Sequence, residues 1–168
     1  MEGSAFIAGA VIQWLRDGLK IVSSAGECEN MAKDVVDNHV IIVPAFTGLG
    51  APYWNANARG AIVGLTRDTG PNELVAAALE SICFQTMDLI KAMTADGGQC
   101  ESLRVDGGMT ANGLFLQSMA NLLQKTVVRP AFTETTALGA AYLAGLQQGV
   151  FNSLDEIKAK WSQDRAFT

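Results

Sequence analysis

The stretch Leu103-Arg104-Val105-Asp106-Gly107-Gly108-Met109-Thr110-Ala111-Asn112 constrains this chain most, because a short strand runs through two glycines into a helix. That order is an α/β element. Glycines in such a turn lack Cβ atoms, so the backbone can bend sharply, expose its N–H groups and let a flat or anionic ligand approach closely. Standing alone, a strand–Gly-Gly–helix junction is more often a tight βα turn than a ligand site, so the rest of the chain has to decide between the two.

Upstream, residues Gly3 to Lys20 are free of proline and carry Ile7, Val11, Leu15 and Leu19 at i+4 intervals, which predicts a helix with one buried stripe. Gly9 and Gln13 form a second i, i+4 pair, on an edge turned away from that stripe. A glycine inside a helix costs about 1 kcal/mol relative to alanine, so Gly9 implies close approach by another helix or by a flat ligand. Ser23 to Asn38 reads as surface loops and a short helix, with Glu27 and Glu29 as solvated charges. His39, the one histidine, is expected at the edge of the strand Val40–Val43, which Pro44 stops. The loop Phe46 to Trp54 holds three aromatics and is expected to fold back on the body as a packed connection.

Arg59 to Thr66 reads as a second strand, and Gly70-Pro71 opens a long helix from Asn72 to Ala95 with Leu74, Ala78, Ile82, Leu89 and Met93 on one side. Glu80, Gln85 and Asp88 are placed on its solvent face. After the opening stretch come a helix over Leu114–Leu123, a strand over Thr126–Arg129 and a small-residue helix over Ala137–Gly145, which Thr133 to Thr136 are placed to cap. A tail helix is expected through Leu154, Ile157 and Trp161. This order predicts an α/β domain, a mixed sheet packed with helices.

At 168 residues the chain fits one domain, able to bury about 70% of its unfolded surface. Its net charge of −5 and 12 scattered Lys and Arg residues oppose a nucleic-acid partner. A phosphorylated small molecule remains open, since backbone N–H groups bind phosphate without basic side chains. Cys28, Cys83 and Cys100 are odd in number and have no His or Cys at metal-ligand spacing, so free thiols in a reducing cytoplasm are expected, with no metal site. No apolar run reaches the ~20 residues of a membrane span, and the start lacks a secretory signal.

Three segments then carry a resemblance: Phe6 to Asp17, Pro44 to Leu65 with its Gly-Leu-Gly-Ala-Pro-Tyr-Trp core, and Val105 to Asn112. Together with the spacing from Gly60, Gly64 and Leu65 to Glu73, Leu74, Ala77 and Glu80, they resemble the C-terminal domain of the FGGY carbohydrate kinases. The Gly-Leu-Gly-Ala-Pro-Tyr-Trp loop resembles the glycerol kinase branch and differs from xylulose or ribulose kinases. The resemblance implies a ribonuclease-H-like, actin-like ATPase fold in which residues 1–168 are the C-terminal domain only. The catalytic aspartate, the glycerol-contacting residues and the first phosphate loop would precede Met1, and the family's last segment would follow Thr168, so no catalytic residue is assigned and the chain alone is expected to be inactive. Gly9 and Gln13 match helix positions that contact ATP in the family, and Gly108 and Asn112 match positions that hold the nucleotide. Asp106 is expected to cap its own turn. The implied reaction is Mg²⁺-dependent transfer from ATP to glycerol, leaving ADP. A missing partner domain leaves apolar cleft surface open, so a homo-oligomer is expected.

Overall fold

A computed structural model describes residues 5–168. Helix α1 (Gly9–Asp17) is followed by a 3-10 turn (Ala25–Glu27) running into α2 (Cys28–Ala32), then by strands β1 (Ile41–Val43) and β2 (Ala61–Val63). The long helix α3 (Pro71–Ala95) precedes β3 (Ser102–Arg104), a second 3-10 turn (Gly108–Ala111) and α4 (Gly113–Leu123). The chain continues through β4 (Thr126–Pro130), α5 (Thr135–Gln147), α6 (Leu154–Lys158) and β5 (Gln163–Phe167). β1 and β2 form an antiparallel ribbon. β3 runs parallel to β4, which pairs antiparallel with β5, so the second sheet is mixed as expected.

The core gathers around α3. Pro71 at its first turn and the Gly70 N–H donating to Glu73 Oε2 at 2.8 Å start this helix. From Val75 to Cys83 it is buried on almost every side, against Val11, Ile12 and Leu15 of α1, Ile42 of β1 and Phe115, Leu116 and Met119 of α4. Beyond Cys83 it emerges, which leaves Leu89 and Met93 only half-buried. Burial pushes the Cys83 thiol up to about 12 and raises that of Cys28, so both serve as small apolar side chains, not as nucleophiles. No helix among the described residues is long and apolar enough to cross a membrane.

Several expectations need correction. The first helix begins at Gly9, so Ile7 is buried ahead of it, and Gly3 and Ser4 lie outside the described residues. It ends at Asp17 because Lys20 adopts a left-handed φ of 58° and the N–H groups of Gly18 and Leu19 both close on the Trp14 carbonyl, which leaves Leu19 43% exposed. In the aromatic loop only Phe46 packs inward, 4.9 Å from the Trp14 ring, while Trp54 is 76% exposed.

Gln85 and Asp88 are not a bare solvent face. Gln85 Nε2 donates to the Ile7 carbonyl at 2.9 Å, and Asp88 accepts from the Tyr53 hydroxyl at 2.7 Å. The tail helix stops at Lys158, and Trp161 leads into β5, an edge strand with only Phe167 buried and therefore no alternating signal to read. α5 contributes no buried residue, and Leu143 on it is 60% exposed.

Candidate functional site

β3 leads into a turn that is braced from behind. The Val105 N–H donates to the Val128 carbonyl at 3.1 Å, and the Gly107 N–H donates to the Thr133 carbonyl at 2.9 Å. Gly107 sits at φ +85°, a left-handed conformation natural to glycine, and its carbonyl accepts from both the N–H and the hydroxyl of Thr110, at 3.0 and 2.7 Å. Asp106 does not cap this turn, contrary to expectation. Its carboxylate accepts from the Thr135 hydroxyl, which ties the turn to the start of α5. Arg129 adds a second brace that the sequence did not disclose: one guanidinium N–H donates to the Thr110 carbonyl at 3.0 Å while the rest of the group pairs with Asp164 at 2.6 Å.

In front, the turn is open. A Cβ built on Gly108 would meet no atom within 4 Å, and this residue needs no left-handed φ. Glycine at 108 therefore has no packing explanation, and its backbone stands open to approach. Met109 turns toward α1, where a Cβ on Gly9 would lie 3.4 Å from its Cγ. The fold thus brings Gly9 to the edge of the turn, and Gln13 follows one helical turn later with an exposed side chain.

Asn112 has a different place from that of a free contact. It is only 8% exposed, and its Oδ1 caps α4 by accepting from the Phe115 N–H at 2.8 Å. Its Nδ2 is buried and has no partner. A buried donor left in this state costs about 1–3 kcal/mol, so such a group calls for an acceptor from a ligand or water. The turn thus presents open backbone at Gly108 beside one buried donor without a partner at Asn112.

Glu29 completes the site and was misread as a solvated charge. Its Oε2 accepts from the Gly113 N–H at 3.2 Å and its Oε1 from the Leu114 N–H at 3.3 Å. Glu29, Gly26, Gly108, Met109 and Asn112 border a small cavity of about 90 Å³. A larger cavity of about 450 Å³ lies elsewhere, between Arg104, Phe132, Leu138, Tyr142 and Trp161. Its apolar wall is the helix that buries nothing, so it reads as uncovered packing surface and the turn remains the better site. His39 is exposed and apart from the turn, and no three His, Cys, Asp or Glu side chains among the described residues cluster to hold a metal ion.

The profile of the FGGY family of carbohydrate kinases, C-terminal domain, matches residues 1–147. The chain belongs to this family. A glycerol kinase from a Marinomonas species is 57% identical over 168 residues, which cover 99% of this chain and 34% of that protein. The crystal structure of Plasmodium falciparum glycerol kinase with ADP superposes with a TM-score of 0.81 at 35% identity, covering 95% of this chain and 32% of the other. A ligand-bound xylulose kinase from Lactobacillus acidophilus gives a TM-score of 0.80 at 25% identity, over 98% of this chain and 34% of its own. This FGGY chain thus spans about a third of the length of the curated relatives it matches. It has the family's ribonuclease-H-like, actin-like ATPase fold.

The two glycines of the FGGY turn are expected to separate under substitution. Gly107→Ala places a Cβ on left-handed backbone and should lower stability by about 1–2 kcal/mol. Gly108→Ala meets open space and should leave the calorimetric melting temperature unchanged. An equal loss in both variants would show that the face in front of Gly108 is closed in solution.

Proposed function

We propose that residues 1–168 act as the C-terminal domain of a longer glycerol kinase and supply the adenine-nucleotide side of its cleft. One conjunction carries the reading: an open backbone at Gly108 next to the buried, unpartnered Nδ2 of Asn112. The similarity to a glycerol kinase solved with ADP supports it. So does the contact between Met109 and Gly9, which sets the Gly9 and Gln13 edge of α1 beside the turn as a second wall.

In this reading the longer enzyme transfers the ATP γ-phosphoryl group to a glycerol hydroxyl, leaving glycerol 3-phosphate and ADP. Such chemistry depends mainly on positioning and electrostatic stabilisation. The residues of this chain do the positioning. Gly108 lets the nucleotide reach the backbone, Asn112 Nδ2 donates to it, and Gly9 and Gln13 confine it from α1. The groups that activate glycerol belong to the remainder of the longer protein, whose closure onto this domain would exclude water. The implied Mg²⁺ has no clustered ligand set among the described residues, and we assign it no residue here. The three free cysteines fit a reducing cytoplasm.

Glycerol is preferred as acceptor because of the 57% identity to a named glycerol kinase and the Gly-Leu-Gly-Ala-Pro-Tyr-Trp loop, since the xylulose kinase shares the fold. The longer protein should phosphorylate glycerol faster than xylulose or ribulose in a coupled ADP-release assay. The 168-residue chain alone should be inactive and bind ATP only at about the millimolar level. Preference for a sugar, or low-micromolar ATP binding by this chain in calorimetry, would overturn the proposal. Within the longer enzyme, Gly108→Val should raise the KM for ATP about tenfold or more with little change for glycerol, since its branched side chain fills the open face. Equal changes in both constants would assign Gly108 a folding role. Homo-oligomer formation by the 168-residue chain through its open apolar cleft surface is part of the same proposal, and a monomer mass for this chain in sedimentation equilibrium would refute that part.

A further inference from the structure

We propose that Glu29 is a positioning residue of the nucleotide turn, and that its carboxylate bars phosphate from the end of α4 so that the turn accepts the uncharged end of a nucleotide. This rests on the reading that the turn takes a nucleotide. An α-helix of eleven residues leaves its leading N–H groups without partners inside the helix, and such an end ordinarily attracts anions. At α4 every one of those groups is already engaged. Gly113 and Leu114 donate to the two oxygens of Glu29, and Phe115 donates to Asn112 Oδ1. Leu116 closes the first turn on the Asn112 carbonyl at 3.3 Å.

The helix end therefore offers an incoming phosphate no free donor and sets a fixed negative charge beside it. The buried side-chain donor left unpaired there is Asn112 Nδ2, more than nine-tenths buried and bordering the same cavity as Glu29 and Gly108. A neutral donor next to a carboxylate suits a group that accepts one hydrogen bond and carries no charge, as the base and ribose of a nucleoside do. It does not suit a phosphate. The bridge has a second effect, because Glu29 comes from α2 and reaches across 84 residues of sequence to hold the first residue of α4. It thereby fixes the position of Asn112, whose Nδ2 has to face the ligand.

Amide NMR spectra of the 168-residue chain test this, with adenosine, ADP and inorganic phosphate as separate probes at millimolar concentration. Adenosine and ADP should shift the Gly108 amide and the Asn112 side-chain amide, while phosphate leaves Gly113 and Leu114 unmoved. In Glu29→Gln, which keeps the shape and one acceptor but loses the charge, phosphate should bind at Gly113 and Leu114 about tenfold more tightly and adenosine should bind more weakly. Phosphate shifts at these two amides in the unaltered chain would overturn the proposal. So would an unchanged phosphate response in a Glu29→Gln variant with a dispersed spectrum.

Should Glu29→Gln fail to fold, Glu29→Asp keeps the charge on a shorter arm. It should still exclude phosphate while speeding amide exchange at Gly113 and Leu114, and phosphate binding in that variant would overturn the proposal. ADP that leaves Gly108 unmoved, with phosphate still moving Gly113 only in Glu29→Gln, would refute the nucleotide reading and leave the exclusion of phosphate by Glu29 standing.

Discussion

The first half of α3 is the support on which the rest of the structure depends. Between Val75 and Cys83 it has almost no solvent-facing side, so α1, α2, α4 and β1 all come to rest on it. Burial of this kind stabilises by about 1.5–3 kcal/mol for each large apolar side chain, well above any single polar contact at the surface. The site follows from that packing although α3 contributes no residue to it. Because α1 and α4 lean on the same helix, Gly9 at the start of one lies beside the turn that precedes the other. Gln85 on α3 fixes the approach further by donating to the Ile7 carbonyl, two residues before α1 begins.

Features with a local cause were legible in the sequence. Gly70-Pro71 marks where α3 starts because proline fits a first helical turn, and Gly107-Gly108 marks a turn because one glycine takes left-handed backbone there. Asn112 was named only through resemblance to a family, and what the structure shows of it is an asparagine capping α4. Leu19 and Trp54 misled for a different reason. Their apolar character predicts burial, but the left-handed Lys20 ends α1 before Leu19 can join the stripe, and the loop that carries Trp54 turns it outward. β5 was invisible because a charged edge strand lacks the alternation that marks a half-buried one.

The polar ties of the site form the class that sequence reading misses. Glu29 and α4 are separated by 84 residues, Arg129 and Asp164 by 35, and Asp106 and Thr135 by 29. No local rule distinguishes a glutamate that caps a distant helix from one that faces water. In each case the partner is a backbone group or side chain that only the folded chain brings near. These ties also limit how the turn can be built, since every one of them holds it from behind or from the side. The front is left to Gly108 and to the amide nitrogen of Asn112.

α5 shows why the turn and the apolar surface have to be considered together. The helix is rich in alanine, leucine and glycine yet buries no residue, and β3 is hydrogen-bonded along one edge only, so both offer surface that a further layer would cover. The back of the turn is fastened to this region, through the Thr133 carbonyl to Gly107 and through the Thr135 hydroxyl to Asp106. An uncovered helix opens locally at lower free energy than a packed one, and groups anchored to it share that motion. In the proposed longer enzyme, a layer over α5 would therefore hold the Gly108 turn more firmly as well as enlarge the core. Weak nucleotide binding by this chain alone would then have two physical causes: the absent half of the cleft, and a turn whose rear anchor stands on an uncovered helix.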